Sequence, residues 1–407
     1  MANILMLTPQ LPYPPHQGTS LRNYHLLRAL ANYHDVSLLS FDESGGAQSL
    51  DPLAALCRVL APVPAPARTK GERLRQLLTD RVPDVALRLR SDAFADALVS
   101  TLHRHRYDAV QIEGIELAGY IPDARRHAAQ SLIVLDCHNA ETELQRRALS
   151  ADLRRPARWP TAVYSGIQVR RLARFERRAL ESADRVIAVS AIDRARLLDL
   201  KPSLGAEIAV LPNTIDVEQY RHVEYVDPEY RYDLVFTGKM DYRPNVDGVL
   251  WFAEFVWPLI LRERPHTRWA IVGQKPHPRL GALHRVPGIT VTGRVPDITP
   301  YLTGASIYIV PLRIGSGTRL KLIEAMAAGL PVVSTRVGAE GFPVESGKNI
   351  VLAEQPDEWG KAVLTLLDTP DRRAELGAAA TNFAAEYDWQ RLIPLLREVY
   401  PNEATGE

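Results

Sequence analysis

The sequence predicts an α/β protein of two successive doubly wound halves, each a parallel sheet covered by helices on both faces. Three observations carry that prediction. Short apolar runs bounded by turn residues alternate with amphipathic stretches, the alternation stops at a polar segment and starts again, and 407 residues suffice for two or three domains. Hydrophobic residues make up 46% and charged ones 24%, with a formal net charge of +1, which excludes a disordered chain and a uniformly basic surface. Cys57 and Cys137 are too few for a disulfide framework and fit a reducing compartment. The first apolar run, Ile4 to Leu7, stops at Thr8-Pro9, far short of a secretory core or a membrane span, so a cytoplasmic protein is expected.

Asn3 to Thr8 reads as a buried strand, being apolar, bounded by prolines and too brief for a helix. Leu21, Tyr24, Leu27, Leu30 and Ala31 then fall at helical spacing over Ser20 to Ala31, and Val36 to Phe41 returns as a strand. Further strands are expected at Asp108–Ile112, Leu132–Asp136, Arg185–Val189 and Ile208–Leu211. The polar, tyrosine-rich segment His222 to Tyr232 reads as the link between halves. Beyond it come strands at Leu234–Thr237, Trp269–Val272, Ile289–Thr292, Ile307–Val310 and Val332–Thr335, separated by helices over Val246–Arg264, Arg319–Ala328 and Glu358–Leu367. The expected domains are 1–212, rejoined by a closing helix over 388–407, and 213–387. Two Rossmann-like domains of this kind, facing across a cleft, would line it with the loops beyond their strand carboxyl ends.

The richest segment runs from Val310 to Ser334. A strand ends at Val310, Gly315 and Gly317 allow tight turning, with Ser316 between them, and a helix is expected to begin near Thr318. Its free amides and dipole would make an anion site, to which Arg319 and Lys321 add positive charge. Glu324, about one and a half turns in, can accept two hydrogen bonds from a vicinal diol such as ribose. Phosphate at the helix start and sugar one turn along is the footprint of a nucleoside diphosphate.

This stretch resembles the nucleotide-sugar motif of family 4 glycosyltransferases, enzymes of the GT-B fold. Those enzymes carry two glutamates with seven residues between them, the second followed by Ala-Met-Ala-x-Gly-x-Pro-Val. Glu324 matches the second, while Ser316 stands where the first is expected. The resemblance implies positions elsewhere. Gln17, Gly18 and Thr19 lie in the loop where the family brings backbone amides to the donor phosphate. His138, in Leu135-Asp-Cys-His-Asn-Ala-Glu141, matches a histidine that in relatives faces the transferred sugar. In Phe236-Thr-Gly-Lys-Met-Asp-Tyr-Arg-Pro-Asn245, Gly238 and Lys239 stand where Gly-Arg is usual, and Asn245 about where a diphosphate-binding lysine is usual. One cation is lost there, and Arg243, Arg319 and Lys321 are the candidates to replace it. Arg294 and Val295 mark the loop that receives the nucleobase through main-chain groups. Asp184–Ser190 and Leu211–Asp216 match structural stretches, and the helix from Tyr387 to Tyr400 matches one that crosses back to the first domain.

The resemblance further implies a retaining reaction with a nucleotide-sugar donor, UDP or GDP linked, as co-substrate, and no essential metal or other cofactor. A nucleotide-sugar 2-epimerase and a non-catalytic nucleotide-sugar-binding partner stay open as alternatives. Polysaccharide, glycolipid or secondary-metabolite biosynthesis is the expected setting, and the acceptor is unread. No G-x-G-x-x-G follows the first strand, and no Walker A pattern, G-x-S-x-G elbow or zinc-type spacing occurs, which argues against a dehydrogenase, a P-loop enzyme, an α/β-hydrolase and a zinc site.

Between Leu144 and Arg178 ten arginines face only Asp152 and Glu176, a sum of +8 that leaves −7 for the remainder. With Trp159, Val163 and Ile167 nearby, this stretch suits anionic lipid head groups at the inner membrane face, where a lipid-linked acceptor would be found. A solvated helix pair with its arginines bound to acids elsewhere is the other reading. Nucleic acid is not an expected partner, because aromatic interleaving is sparse.

Overall fold

The computed structural model describes residues 1–15, 18–153, 159–204, 208–220, 227–315 and 317–400, with the Lys70 side chain set aside. Gln17 and Ser316 therefore lie outside the described residues, as do Arg154, Arg155 and Arg158, residues 222–226 of the expected link and the end of the closing segment. The chain divides into two units, one from Met1 to Thr214 that resumes at Trp389, the other Ile215–Asp388.

In the first unit the strands are β1 (Asn3–Thr8), β2 (Asp35–Asp42), β3 (Arg58–Val59), β4 (Val63–Pro64), β5 (Ala109–Glu113), β6 (Leu132–Cys137), β7 (Arg185–Ala188) and β8 (Ile208–Val210). They form one parallel sheet in the order β3-β2-β1-β5-β6-β7-β8, with β4 also on β2. Alternation along the strands feeds two cores. Leu5, Leu7, Val110, Ile112, Ile133 and Leu135 pack with Phe94 and Leu98 of the helix Asp92–Arg104. Ile4, Met6, Leu38, Val134 and Ile187 point the other way, onto Leu26, Leu27 and Leu30 of the helix Gly18–Ala31 and Leu392, Leu396 and Val399 of the closing helix Leu392–Val399. That burial ties the end of the chain to its beginning.

The second unit has β9 (Tyr232–Thr237), β10 (Trp269–Val272), β11 (Ile289–Gly293), β12 (Ala305–Val310), β13 (Val332–Ser334) and β14 (Val351–Leu352), all parallel in the order β11-β10-β9-β12-β13-β14. Tyr232 opens β9 and is not part of a link, because its ring is buried against Tyr301 and Arg268. The expected helix Val246–Arg264 starts earlier, at Arg243, and contains a π turn over Phe252–Val256.

In each sheet the chain adds strands on one side of its first strand and then jumps to the other side, between β1 and β5 and between β9 and β12. The loops at the carboxyl ends of such a strand pair diverge, leaving a crevice where ligands bind in open α/β sheets.

Candidate active site

In the second unit the crevice lies between the loop after β9 and the loop after β12. Thr237 and Tyr308 tie the two strands together, Oγ1 to the phenol oxygen at 2.7 Å. Gly238, at φ +152°, leaves β9 with no room for a side chain, since a Cβ there would stand 2.5 Å from Lys321 Nζ and 2.8 Å from Asn245 Nδ2. Lys321 comes from the other loop's helix. Its Nζ donates to Asn245 Oδ1 at 2.9 Å and lies 4.3 Å from the centre of the Phe236 ring. Asn245 in turn donates to the Lys239 carbonyl at 2.8 Å. The Lys321 amine thus stands beside Asn245, reaching it from the other loop's helix. Lys239 itself is exposed, 3.8 Å from Asp241.

Burial, and then the Arg319 guanidinium, push the Lys321 amine down to about 7, against the opposing pull of Glu324. The helix begins at Leu320, not at Thr318, because Arg319 still has non-helical backbone angles. The amides nearest the crevice therefore belong to a turn through Gly315 (φ +133°) and Gly317 (φ +77°), onto which the Arg319 side chain folds: a Cβ on Gly315 would clash with its Nη2. The helix Leu320–Ala327 is anchored by Leu322, Ile323, Ala325 and Met326, all fully buried. This apolar face leaves Lys321 and Glu324, three residues apart, on the half-buried side.

Glu324 is not a bare carboxylate. Tyr220, in the short turn Val217–Tyr220, donates its hydroxyl to Glu324 Oε1 at 3.1 Å, leaving Oε2 for another donor. Burial raises the Glu324 carboxyl above its ordinary range, with the Tyr220 hydrogen bond and Lys321 pulling the other way. Arg243 is half-buried at the start of the helix Arg243–Trp251. Arg294 is exposed and Val295 half-buried, just beyond β11 on the same edge of the sheet.

The first unit holds a second cluster at its own crevice. His138, the first residue after β6, bonds through Nε2 to Glu113 Oε2 at 3.0 Å. Glu113 closes β5, is fully buried, and also accepts from Gln111 Nε2 at 2.7 Å. With its carboxamide turned to satisfy both ends, Asn23 donates to the same Glu113 oxygen at 3.0 Å and to the Thr19 carbonyl at 3.3 Å, linking the Gly18–Thr19 loop to the histidine. Asp136, equally buried, is held by Arg22 through two bonds of 2.8 Å, and Arg22 also donates to the Leu211 carbonyl and Asn213. Leu211-Pro-Asn is structural here, as its sequence suggests.

Glu113, Asp136 and His138 bring donor atoms within 4.8 Å of one another, a grouping of metal-ligand type among the described residues. Arg22 already engages both Asp136 oxygens, so a guanidinium compensates the charge that a cation would need. Burial, then the Asp136 charge, raise the Glu113 carboxyl to about 7. For His138, burial opposes the imidazolium, but the Glu113 hydrogen bond and the two carboxylates outweigh it and raise its pKa. Glu113 and His138 share a hydrogen bond, so the protonation of each bears on the other. Cys137 beside it is buried and its thiol pushed up, so it offers no thiolate.

Of the residues expected from sequence, the structure brings His138 to one crevice and Gly238, Lys321 and Glu324 to the other, and it adds Glu113, Asn23, Asp136 and Tyr220, which sequence did not point to. Glu113 lies 25 residues from His138 and Tyr220 104 residues from Glu324, separations that leave no local signal.

The chain belongs to the glycosyltransferases of family 4, on the GT-B fold. The model described as Glycosyltransferase Family 4 matches residues 17–219, and that described as Glycosyl transferases group 1 matches 231–369. A D-inositol 3-phosphate glycosyltransferase of Thermobispora bispora is 24% identical over 250 residues, covering 55% of this chain and 57% of that protein. An uncharacterised 44.6 kDa protein in the cps region of Klebsiella pneumoniae is 24% identical over 189 residues, 42% and 48% of the two chains. The chain thus spans about half the length of these relatives. Among solved structures, Anabaena HepE in complex with UDP and glucose superposes with a TM-score of 0.64 at 15% identity, covering 98% of this chain and 99% of that one. Sucrose-phosphate synthase from Thermosynechococcus elongatus gives 0.69 at 16%, with 98% of both chains covered. At such identities these likenesses establish the fold.

Proposed function

We propose that the protein transfers a hexosyl group from a nucleoside diphosphate sugar to an acceptor hydroxyl, with retention of anomeric configuration and without an essential metal. The observation that carries this reading is the second-unit crevice, where a half-buried ammonium, two glycine-lined loops and a carboxylate one turn away sit at the switch point of one sheet. Lys321 and the amides around Gly317 and Thr318, with Arg319 and Lys239, would hold the diphosphate, and Glu324 Oε2 the ribose diol. Charge developing on the departing diphosphate is met by donors already in position, the largest electrostatic contribution available to such a site.

Lys321 stands in for the lysine that relatives carry at the place of Asn245. Asn245 keeps a role by orienting the ammonium. In the first unit, His138, set by Glu113 through Nε2, would offer Nδ1 to a sugar hydroxyl, and the Gly18–Thr19 loop would offer backbone amides to a phosphate. The leaving phosphate itself is the proposed acceptor of the incoming hydroxyl's proton. The UDP in HepE makes UDP-sugars the first donors to try.

The test is incubation with UDP- and GDP-sugars. Slow release of nucleoside diphosphate with an α-linked product from an α-linked donor, read by proton NMR, supports the proposal. A changed sugar on an intact nucleotide would make the protein an epimerase, and tight binding without turnover a non-catalytic partner; either contradicts it.

A further inference from the structure

We propose that the first unit docks on the surface of an anionic lipid bilayer through two paired helices, Lys70–Thr79 and Trp159–Ser182. The inference stands independently of the transferase reading. Side chains bridge the two helices in the same order along both: Arg73 and Tyr164 line one hollow between them, and farther along Arg171 Nη2 donates to the Leu77 carbonyl at 2.7 Å, so the helices run the same way. At 100° per residue, positions one place after the contacts of one helix and one place before those of its parallel neighbour turn to the same side. Those positions are Leu74 and Leu78 on the first helix and Val163, Ile167 and Arg170 on the second.

The exposures agree with this geometry. Leu74 is 61%, Leu78 78%, Val163 67% and Ile167 36% exposed, and Trp159, one turn before Val163, is 59% exposed. Farther along the same stripe come Arg174, Arg177 and Arg178, all exposed like Arg170. Among the described residues these four guanidiniums meet no carboxylate within ion-pair distance. The two acids of the segment are turned inward, Asp152 at 1% and Glu176 at 0% exposure. What remains outside is aliphatic side chains, a tryptophan and uncompensated arginines. The apolar groups can enter the acyl boundary while the guanidiniums meet lipid phosphates.

A second copy of the chain is a poor occupant, since an isologous contact would set this basic stripe against itself. Nucleic acid is poorly matched, because aliphatic side chains offer no stacking platform. Among the described residues no helix is long and apolar enough to cross a membrane, so the contact is peripheral.

The full chain should co-sediment with vesicles of phosphatidylcholine containing about 30% phosphatidylglycerol at least ~10-fold more strongly than with phosphatidylcholine alone, and raising salt from about 0.1 to 0.5 M should weaken this. Arg170→Gln/Arg174→Gln/Arg178→Gln should abolish the preference for anionic vesicles, and Leu74→Ser/Leu78→Ser/Val163→Ser/Ile167→Ser should reduce partitioning at least ~10-fold. Both variants should keep the parent's circular dichroism and its rate of donor hydrolysis in detergent-free buffer. Brominated lipid should quench emission in the parent, and Trp159→Phe should remove that quenching. Equal partitioning to neutral and anionic vesicles, or none, would overturn the proposal. So would a dimer in sedimentation velocity that the serine variant dissociates, or single-stranded DNA binding that the glutamine variant loses.

Discussion

Lys321 is an ammonium with one asparagine oxygen and a phenylalanine ring for company, and its chemistry follows from that setting. The folded state releases its proton near pH 7, the unfolded chain near its ordinary value of 10.5. Between those values the unfolded state binds more protons, so this group makes stability rise with pH across that window. Lys321→Met is expected to flatten that rise in urea-denaturation series at pH 7 to 10, and an unchanged slope would mean the amine is not held as described. A bound diphosphate would restore the proton. Binding at pH 8 should therefore take up close to one proton, read from calorimetry in buffers of different ionisation enthalpy.

Glu113 titrates in the opposite sense. Its carboxyl, raised to about 7, keeps a proton in the folded state that the unfolded chain loses near 4.5, so this group costs stability as pH rises between the two. His138, also raised, contributes stability that is complete below 6.5 and fades as pH climbs through its folded value. Glu113→Gln should lower the His138 pKa toward its ordinary value, measured from the imidazole Cε1 proton resonance. It should also shift the alkaline or acid limb of any activity profile without abolishing nucleotide binding. Glu324→Ala should cut activity by orders of magnitude, through loss of charge-assisted hydrogen bonds worth about 1.5–3 kcal/mol each. Unchanged kinetics would remove that carboxylate from the site.

At the scale of elements, the helix Glu141–Leu153, which starts three residues after His138, begins on a buried acid from its neighbour. Glu176 accepts from the backbone amides of Glu141 and Thr142 at 3.0 Å each, although burial raises its carboxyl. The negative charge faces the helix amino end, where it satisfies orphan amides and the dipole. Glu176→Ala should cost about 2–4 kcal/mol, seen as a lower urea midpoint with circular dichroism otherwise native.

Most elements were legible because parallel strands covered on both faces read as unbroken apolar runs: β1 and β10 match the sequence to the residue. Strands β3, β4 and β14 have two residues each, too few to show any period. The π turn at Phe252–Val256 leaves no mark either, since Phe252, Val256 and Trp257 suit a buried α-helix equally well. The start of the helix at Leu320 was misread by two residues because Gly-Thr-Arg can open a helix as readily as a turn.

For the whole molecule, chain order alone sets where two crevices form, because each sheet reverses its direction of growth once. The loops bearing Gly238 and Gly315, and those bearing Gly18 and Glu113, fall at these reversals. The glycines and the helix were legible at that level. The side-chain pairs were not: Lys321 Nζ meets Asn245 Oδ1 across 76 residues, and only the fold shows which of the three candidate cations stands at that position. Glu113 fell one residue beyond the expected strand Asp108–Ile112, where the structure places the end of β5. The basic stretch from Leu144 to Arg178 was legible beneath a near-neutral total charge, but not that its two acids turn inward, which depends on packing.

The crevice after β9 and β12 is proposed to grip a diphosphate through Lys321. Calorimetric titration of the parent and Lys321→Met with UDP and with uridine addresses it most directly. The variant should lose at least ~10-fold in affinity for UDP while uridine changes less than about twofold, the pattern of one lost phosphate contact. Equal weakening of both ligands, or of neither, would contradict it.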